Sequence, residues 1–166
     1  MEHPGEAPDV WPIFLALQES ALGAEMRASP FLYPAAEVLH IIGFVLLVGS
    51  IAALDLRLLG FGRTVALQPF ARLTLGISRF GFLLAVPMGF LLFTADAAHV
   101  IRNPAFQAKM VVLALALANV AIAHAGPWRR AEAWGFEAPA AAKAAAFASL
   151  ALWLGVVCAG RLIAYF

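Results

Sequence analysis

The stretch Tyr33–Gly60, YPAAEVLHIIGFVLLVGSIAALDLRLLG, decides the fold. From Val38 to Leu54 it carries no charge and is interrupted only by His40, Ser50 and glycines, with Asp55 and Arg57 at its exit. With its flanks it is long enough to cross a hydrocarbon core, which needs about 20 residues. The spacing therefore predicts a membrane helix. Ionisable or metal-ligating side chains inside such a helix cost about 2.5–3.5 kcal/mol each, so those present are expected to face protein or a cofactor. Glu37 and His40 lie about one turn apart near the entry. Glu37 and Asp55 are separated by five turns of about 3.6 residues and share one face at opposite ends.

Working outward, the composition agrees. The 166 residues are 63% hydrophobic and 13% charged, with a mean hydropathy of +0.88, against roughly 45–50% apolar usage in soluble domains. A net charge of +1 and the absence of a basic patch with interleaved aromatics exclude a nucleic-acid partner. The single cysteine, Cys158, forms no internal disulfide, and Cys/His zinc spacings are missing. Residues 1–30 hold five acidic residues against Arg27, without the basic start of a signal peptide, so the first span is expected to act as its own insertion signal.

Residues 1–10 read as a loose polar tail. Ile13, Leu17, Ala21 and Ala24 recur at helical spacing opposite Gln18, Glu19 and Glu25, which predicts about four turns of amphipathic helix lying at the interface, anchored by Trp11. Gly60–Leu75 reads as a loop or short surface helix. A second apolar run covers Ile77–Val100, with Pro87 expected to kink it. A third covers Phe106–Ala125 and a fourth Ala140–Phe166, separated by a loop at Trp128–Pro139. The predicted fold class is all-α: a four-transmembrane-helix antiparallel bundle (31–166) preceded by a tail and N-terminal interfacial amphipathic helix (1–30). Arg57, Arg63, Arg72, Arg79, Arg129, Arg130 and Lys143 gather at one side, and Arg27, Arg102, Lys109 and Arg161 at the other. The excess predicts a cytoplasmic first side. Both termini are then expected in the periplasm of a bacterial inner membrane.

Antiparallel spans collect Glu37, His40, Asp96, His99, Arg102, Lys109 and Arg161 at the outer end. His40 lies about 9 Å beyond Pro34 along its helix and His99 about 6 Å from Asn103 at 1.5 Å per residue, so the two can share a level. Two histidines on different helices, with Arg102, Lys109 and Arg161 to meet propionates, match what a haem b with two axial imidazoles needs. Glu37 or Asp96 could hold an imidazole N–H. The alternative is polar packing of the histidines and snorkelling of Lys109 and Arg161. His124 sits at the far end and has no histidine partner. Asp55 and Arg57 are expected to form an ion pair at the helix end. Copper is the rival metal, with Met110 or Cys158 as soft ligands.

The segments SPFLYPAAEVLHIIG, DLRLLG, NPAFQAK and SLALWLGVVCAGRLIAYF resemble an uncharacterised family of small bacterial four-helix membrane proteins, over about Ser29–Phe166. More distantly, LHIIGFVLLVG resembles the first helix of HemJ-type protoporphyrinogen oxidases and copper-resistance D-like proteins, and the helix count is similar to that of cytochrome b561-like proteins. That resemblance implies a ligand at His40. The expected function is haem-dependent electron transfer or quinone-linked redox chemistry, with quinone or a periplasmic protein as redox partner. No catalytic residue is assigned. The alternatives are an accessory subunit of a larger membrane complex or oligomer, and a copper-binding or copper-transport protein.

Overall fold

The computed structural model describes residues 10–134 and 137–166. The tail over 1–9 and the side chain of Trp11 lie outside the described residues. The described chain is helical, with no strand: α1 (Val10–Glu19), α2 (Ala21–Ala28), α3 (Leu32–Leu59), α4 (Leu67–Ala95), α5 (Ala97–Val100), α6 (Pro104–Ala125) and α7 (Ala140–Leu162), with 3-10 turns at Pro127–Ala133 and Ile163–Tyr165. Four helices, α3, α4, α6 and the last from Ala140 to Tyr165, are long and apolar enough to cross a membrane, with mean hydropathies of 2.2, 1.8, 1.8 and 1.9. This is the makeup of an integral membrane protein.

The boundaries follow from local chemistry. Gly60 ends α3 at φ 107°, and the Phe61 N–H reaches back to the Leu56 carbonyl at 3.0 Å, the left-handed glycine stop that satisfies otherwise orphaned carbonyls. Helix α4 starts at Leu67, ten residues before the expected apolar run. Pro69 lies in its first turn, where a missing N–H costs nothing. Of the loop or short surface helix expected over Gly60–Leu75, the chain from Leu67 is thus the start of α4. Helix α4 runs unbroken through Pro87 to Ala95, and Asp96, at φ −148° and ψ 49°, separates it from α5. The run expected to continue to Val100 is therefore two helices. Asn103 caps α6, its Oδ1 accepting from the Ala105 and Phe106 amides at 2.9 and 3.2 Å, while Pro104 takes the first helical position.

The expected single N-terminal helix is broken at Ser20. Its hydroxyl donates to the Leu17 carbonyl at 2.6 Å and accepts from the Gly23 amide at 3.2 Å, closing α1 and opening α2. Helix α2 lies on the end of α4. Gly23 is required there: a Cβ would collide with the Gln18 carbonyl and sit 2.7 Å from that of Thr94. Arg27 donates to the carbonyls of Gln18 at 2.7 Å and Ala95 at 3.0 Å, and Gln18 Oε1 accepts from the Ala98 amide at 3.0 Å. These side chains supply the last carbonyl of α4 and an early amide of α5 with the partners that the break at Asp96 removes.

The long helices meet through small residues. His40 packs on Ala85 and Gly89, Gly43 on Gly81 and Ala85, and Leu54 and Leu58 cluster with Leu67 and Ala71. The start of α3 thus meets the end of α4. Leu47, Ala116, Trp153 and Val156 join α3, α6 and α7 at mid-height, with Phe82 of α4 packed against them. Ala138, Ala142 and Ala146 close one end, and Met26, Ala36 and Ala95 the other. Large side chains point the other way: Val45, Leu73, Phe80, Leu83, Val111, Leu115, Ile122, Phe147 and Leu154 are all exposed. A lipid-facing exterior with alanine and glycine inside is how helices pack when hydrocarbon surrounds them.

Candidate functional site

His40 sits two turns into α3, half-buried against α4. Its Nδ1 lies 2.7 Å from the Ala85 carbonyl oxygen. A carbonyl only accepts, so Nδ1 carries the proton and Nε2 the lone pair. No hydrogen bond to Nε2 is found among the described residues. The ring rests on Gly89, where a Cβ would lie 2.7 Å from Cε1, and runs nearly parallel to Phe44, one turn on, at 6.4 Å between centroids and 16°. Spacing explains the platform. Gly81, Ala85 and Gly89 recur every four residues along α4, forming one stripe of small residues that lets α3 approach and exposes a carbonyl to the imidazole. Sequence reading missed that stripe, although GFLLAVPMG spells it out. The expected holder of the imidazole N–H was Glu37 or Asp96. The holder is the backbone of α4, and both carboxylates are exposed.

Lys109, on the first turns of α6, lies close enough to His40 to interact with it electrostatically. It is half-buried, and its stem runs along α7, with Cε 3.8 Å from where a Cβ on Gly160 would be.

His99 is not joined to them by any described contact. It stands on α5, 72% exposed, with Nδ1 3.5 Å from Asp96 Oδ2. The break at Asp96 is the physical reason: the helix that was expected to carry His99 on the bundle wall stops one turn short of it. Arg161 donates to the Tyr165 hydroxyl at 2.8 Å and lies 4.8 Å from that ring's centroid, both on the surface. Arg102 is exposed and engaged in a contact of its own. Met110 and Cys158, the soft ligands that copper would want, are exposed. No group of three or more His, Cys, Asp or Glu able to hold a metal is found among the described residues. His124 lies at the far end of α6, its Nδ1 2.8 Å from the Val120 carbonyl and its ring stacked on Trp128 at 5.9 Å.

Two surface grooves lie elsewhere. One of about 480 Å³ is lined by Gln18, Arg27, Tyr33 and Asp96 among others, and one of about 420 Å³ by Leu46, Arg72 and Phe80 among others. At the opposite end of α3, Asp55 and Arg57 part company instead of pairing. Residues two apart on a helix do not face each other. Arg57 Nε donates to the Val65 carbonyl at 2.9 Å, whereas Asp55 meets Ser149 of α7.

No protein family, no curated protein and no solved structure matches this chain.

Proposed function

We propose that this chain is a membrane redox protein that holds one haem b through His40, near the outer face of a bacterial inner membrane. The observation that supports it is the bond between His40 Nδ1 and the Ala85 carbonyl. Imidazoles that ligate iron or other metals are characteristically held through the far nitrogen by a carbonyl or carboxylate, which fixes the ring and raises the basicity of the coordinating nitrogen. The donor set fits: an oriented Nε2, with the Lys109 ammonium within electrostatic reach of the ring to meet a propionate. The reading keeps one of the two ligands that the sequence suggested and drops the other, because His99 is committed to Asp96 on the surface. A bound haem would supply one-electron chemistry at a potential set by its axial ligation and burial. What the chain contributes is a fixed imidazole, a cation and an apolar surround, close to the depth at which a quinone head group would sit.

The same reading takes the four long helices as an antiparallel bundle across the bilayer, with α1 and α2 lying amphipathically on the outer surface and both termini periplasmic. Its support is the basic residues Arg57, Arg63, Arg72, Arg129 and Arg130 at the opposite end. The deciding experiment is the absorption spectrum of protein purified from haem-supplied cells. A Soret band present at about one haem per chain in the wild type and lost in His40→Ala is the expected result. A folded wild-type protein without that band overturns the reading.

A further inference from the structure

Asp55 lies four residues from the end of α3 and is 6% exposed. Ser149, itself 5% exposed on α7, lies near its carboxyl group. The Asp55 Oδ2 is sealed from solvent and has no hydrogen-bond partner. One turn along α7 on the same buried face is Trp153, 3% exposed, whose indole N–H is also sealed and unpartnered. A carboxyl oxygen and an N–H donor are thus both unsatisfied inside the α3–α7 interface. Unpaired buried polar atoms cost about 1–3 kcal/mol each and ordinarily find a water or a neighbour.

The buried hydroxyls of α3 and α4 are already committed. Ser50 donates to the Leu46 and Leu47 carbonyls at 2.6 and 3.1 Å, Thr74 to Phe70 at 2.9 Å and Ser78 to Leu75 at 3.0 Å. The charged groups on the surrounding elements are turned elsewhere. Arg57 is held by the 63–65 loop, Arg63 pairs with Glu137 at 3.0 Å on the surface, and Arg72, Arg79, Arg129 and Arg130 are exposed, with Lys143 half-exposed. Among the described residues no cation forms an ion pair with Asp55. An ionised carboxylate with a hydroxyl nearby and no cation carries most of its desolvation penalty uncompensated, so such a group takes up a proton instead.

We propose that the α3–α7 interior at Asp55 is a proton-binding site, in which the carboxyl takes a proton from water entering at the Arg57 end and holds it as the neutral acid near Ser149. Uptake forms one O–H bond at Asp55 and breaks one in hydronium. Release reverses both, with water as the acceptor. The site is independent of the haem reading: His40 is fifteen residues away along α3, roughly 22 Å at 1.5 Å per residue.

The full-length protein in detergent micelles tests it by infrared spectroscopy in light and heavy water. A carboxylic C=O band that shifts on exchange, disappears on raising the pH and is missing from Asp55→Asn is expected, and the band should move in Ser149→Ala, which removes the neighbouring hydroxyl. Dicyclohexylcarbodiimide reacts with a protonated carboxyl, whose proton passes to a diimide nitrogen as the carboxyl oxygen adds to the central carbon. Peptide mapping should find the adduct on Asp55 several-fold above Asp96 and Glu137, at the same level in His40→Ala. Should Asp55→Asn fail to fold, the wild-type band and adduct still decide. A folded wild type with no carboxylic band across the pH range overturns the proposal, and so does a band that Asp55→Asn, correctly folded, leaves in place.

Discussion

Gly43 and Gly81 sit backbone to backbone: a Cβ on Gly81 would lie 2.6 Å from the Gly43 carbonyl oxygen, and one on Gly43 2.9 Å from the Gly81 carbonyl oxygen. Neither obstacle is a side chain that can move aside. In lipid, where apolar surface gains little by leaving its surroundings, this approach is what holds α3 to α4. Gly81→Val should therefore destabilise the folded protein by about 1–3 kcal/mol, the usual cost of forcing extra bulk into a packed contact. Gly49→Ala, where a Cβ meets nothing within 4 Å, should be neutral. Thermal unfolding in detergent compares the two, and equal losses would show that the contact contributes nothing.

Gly89 supports the imidazole. A Cβ there would lie 2.7 Å from His40 Cε1 and 3.0 Å from Nδ1, so Gly89→Ala should push the ring from the Ala85 carbonyl. Haem occupancy should fall with His40→Ala and with Gly89→Ala while His99→Ala retains it, read from Soret absorbance per chain. Loss of the band in His99→Ala alone would restore the two-histidine site.

Arg27 and Gln18 join α1 and α2 to the break at Asp96. Removing Gln18 Oε1 by Gln18→Ala, or the guanidinium by Arg27→Ala, should speed exchange of the Ala98 amide and its neighbours in α5, each change costing about 1–2 kcal/mol locally. Hydrogen exchange followed by mass spectrometry measures it. Unchanged protection at α5 would mean that the N-terminal helices are ornaments on the bundle.

Orientation is open to direct labelling. With Cys158→Ser as background, a cysteine at Arg63 should resist an impermeant thiol reagent applied to intact cells, and one at Glu25 should react. The reverse pattern would invert the topology.

The four spans were legible because a hydrocarbon solvent leaves little choice: long uncharged runs at Val38–Leu54 or Met110–Ala123 can hardly be anything but helices. Their ends were less so. Gly60–Leu75 reads as a loop or short surface helix, whereas α4 already starts at Leu67 with Pro69 in its first turn, and the end of α4 depends on an unusual backbone angle at Asp96 that composition does not announce. That one error displaced His99. Its spacing from Asn103 is compatible with a place beside His40 only if the helix continues. The partner of His40 was illegible for another reason, because a backbone carbonyl has no residue type, and only the Gly81–Ala85–Gly89 spacing hints at where the backbone comes close. Asp55 and Arg57 suggested an ion pair by adjacency, yet adjacency along a helix turns side chains apart.

The distribution of contacts has a consequence for biogenesis. Helices α3 and α4 close on each other through glycine and alanine, α6 packs along α7, and the two halves meet chiefly along α3 and α7, with the Phe93–Phe106 stack at 5.4 Å bridging one edge. The contacts group the long helices into two pairs, α3 with α4 and α6 with α7. The first is complete before the second leaves the ribosome, and each can enter the bilayer as a unit. Two fragments divided at Ile101 and co-expressed should accordingly find each other in the membrane and co-purify, whereas fragments divided at Gly62, which separates α3 from α4, should be lost to proteolysis.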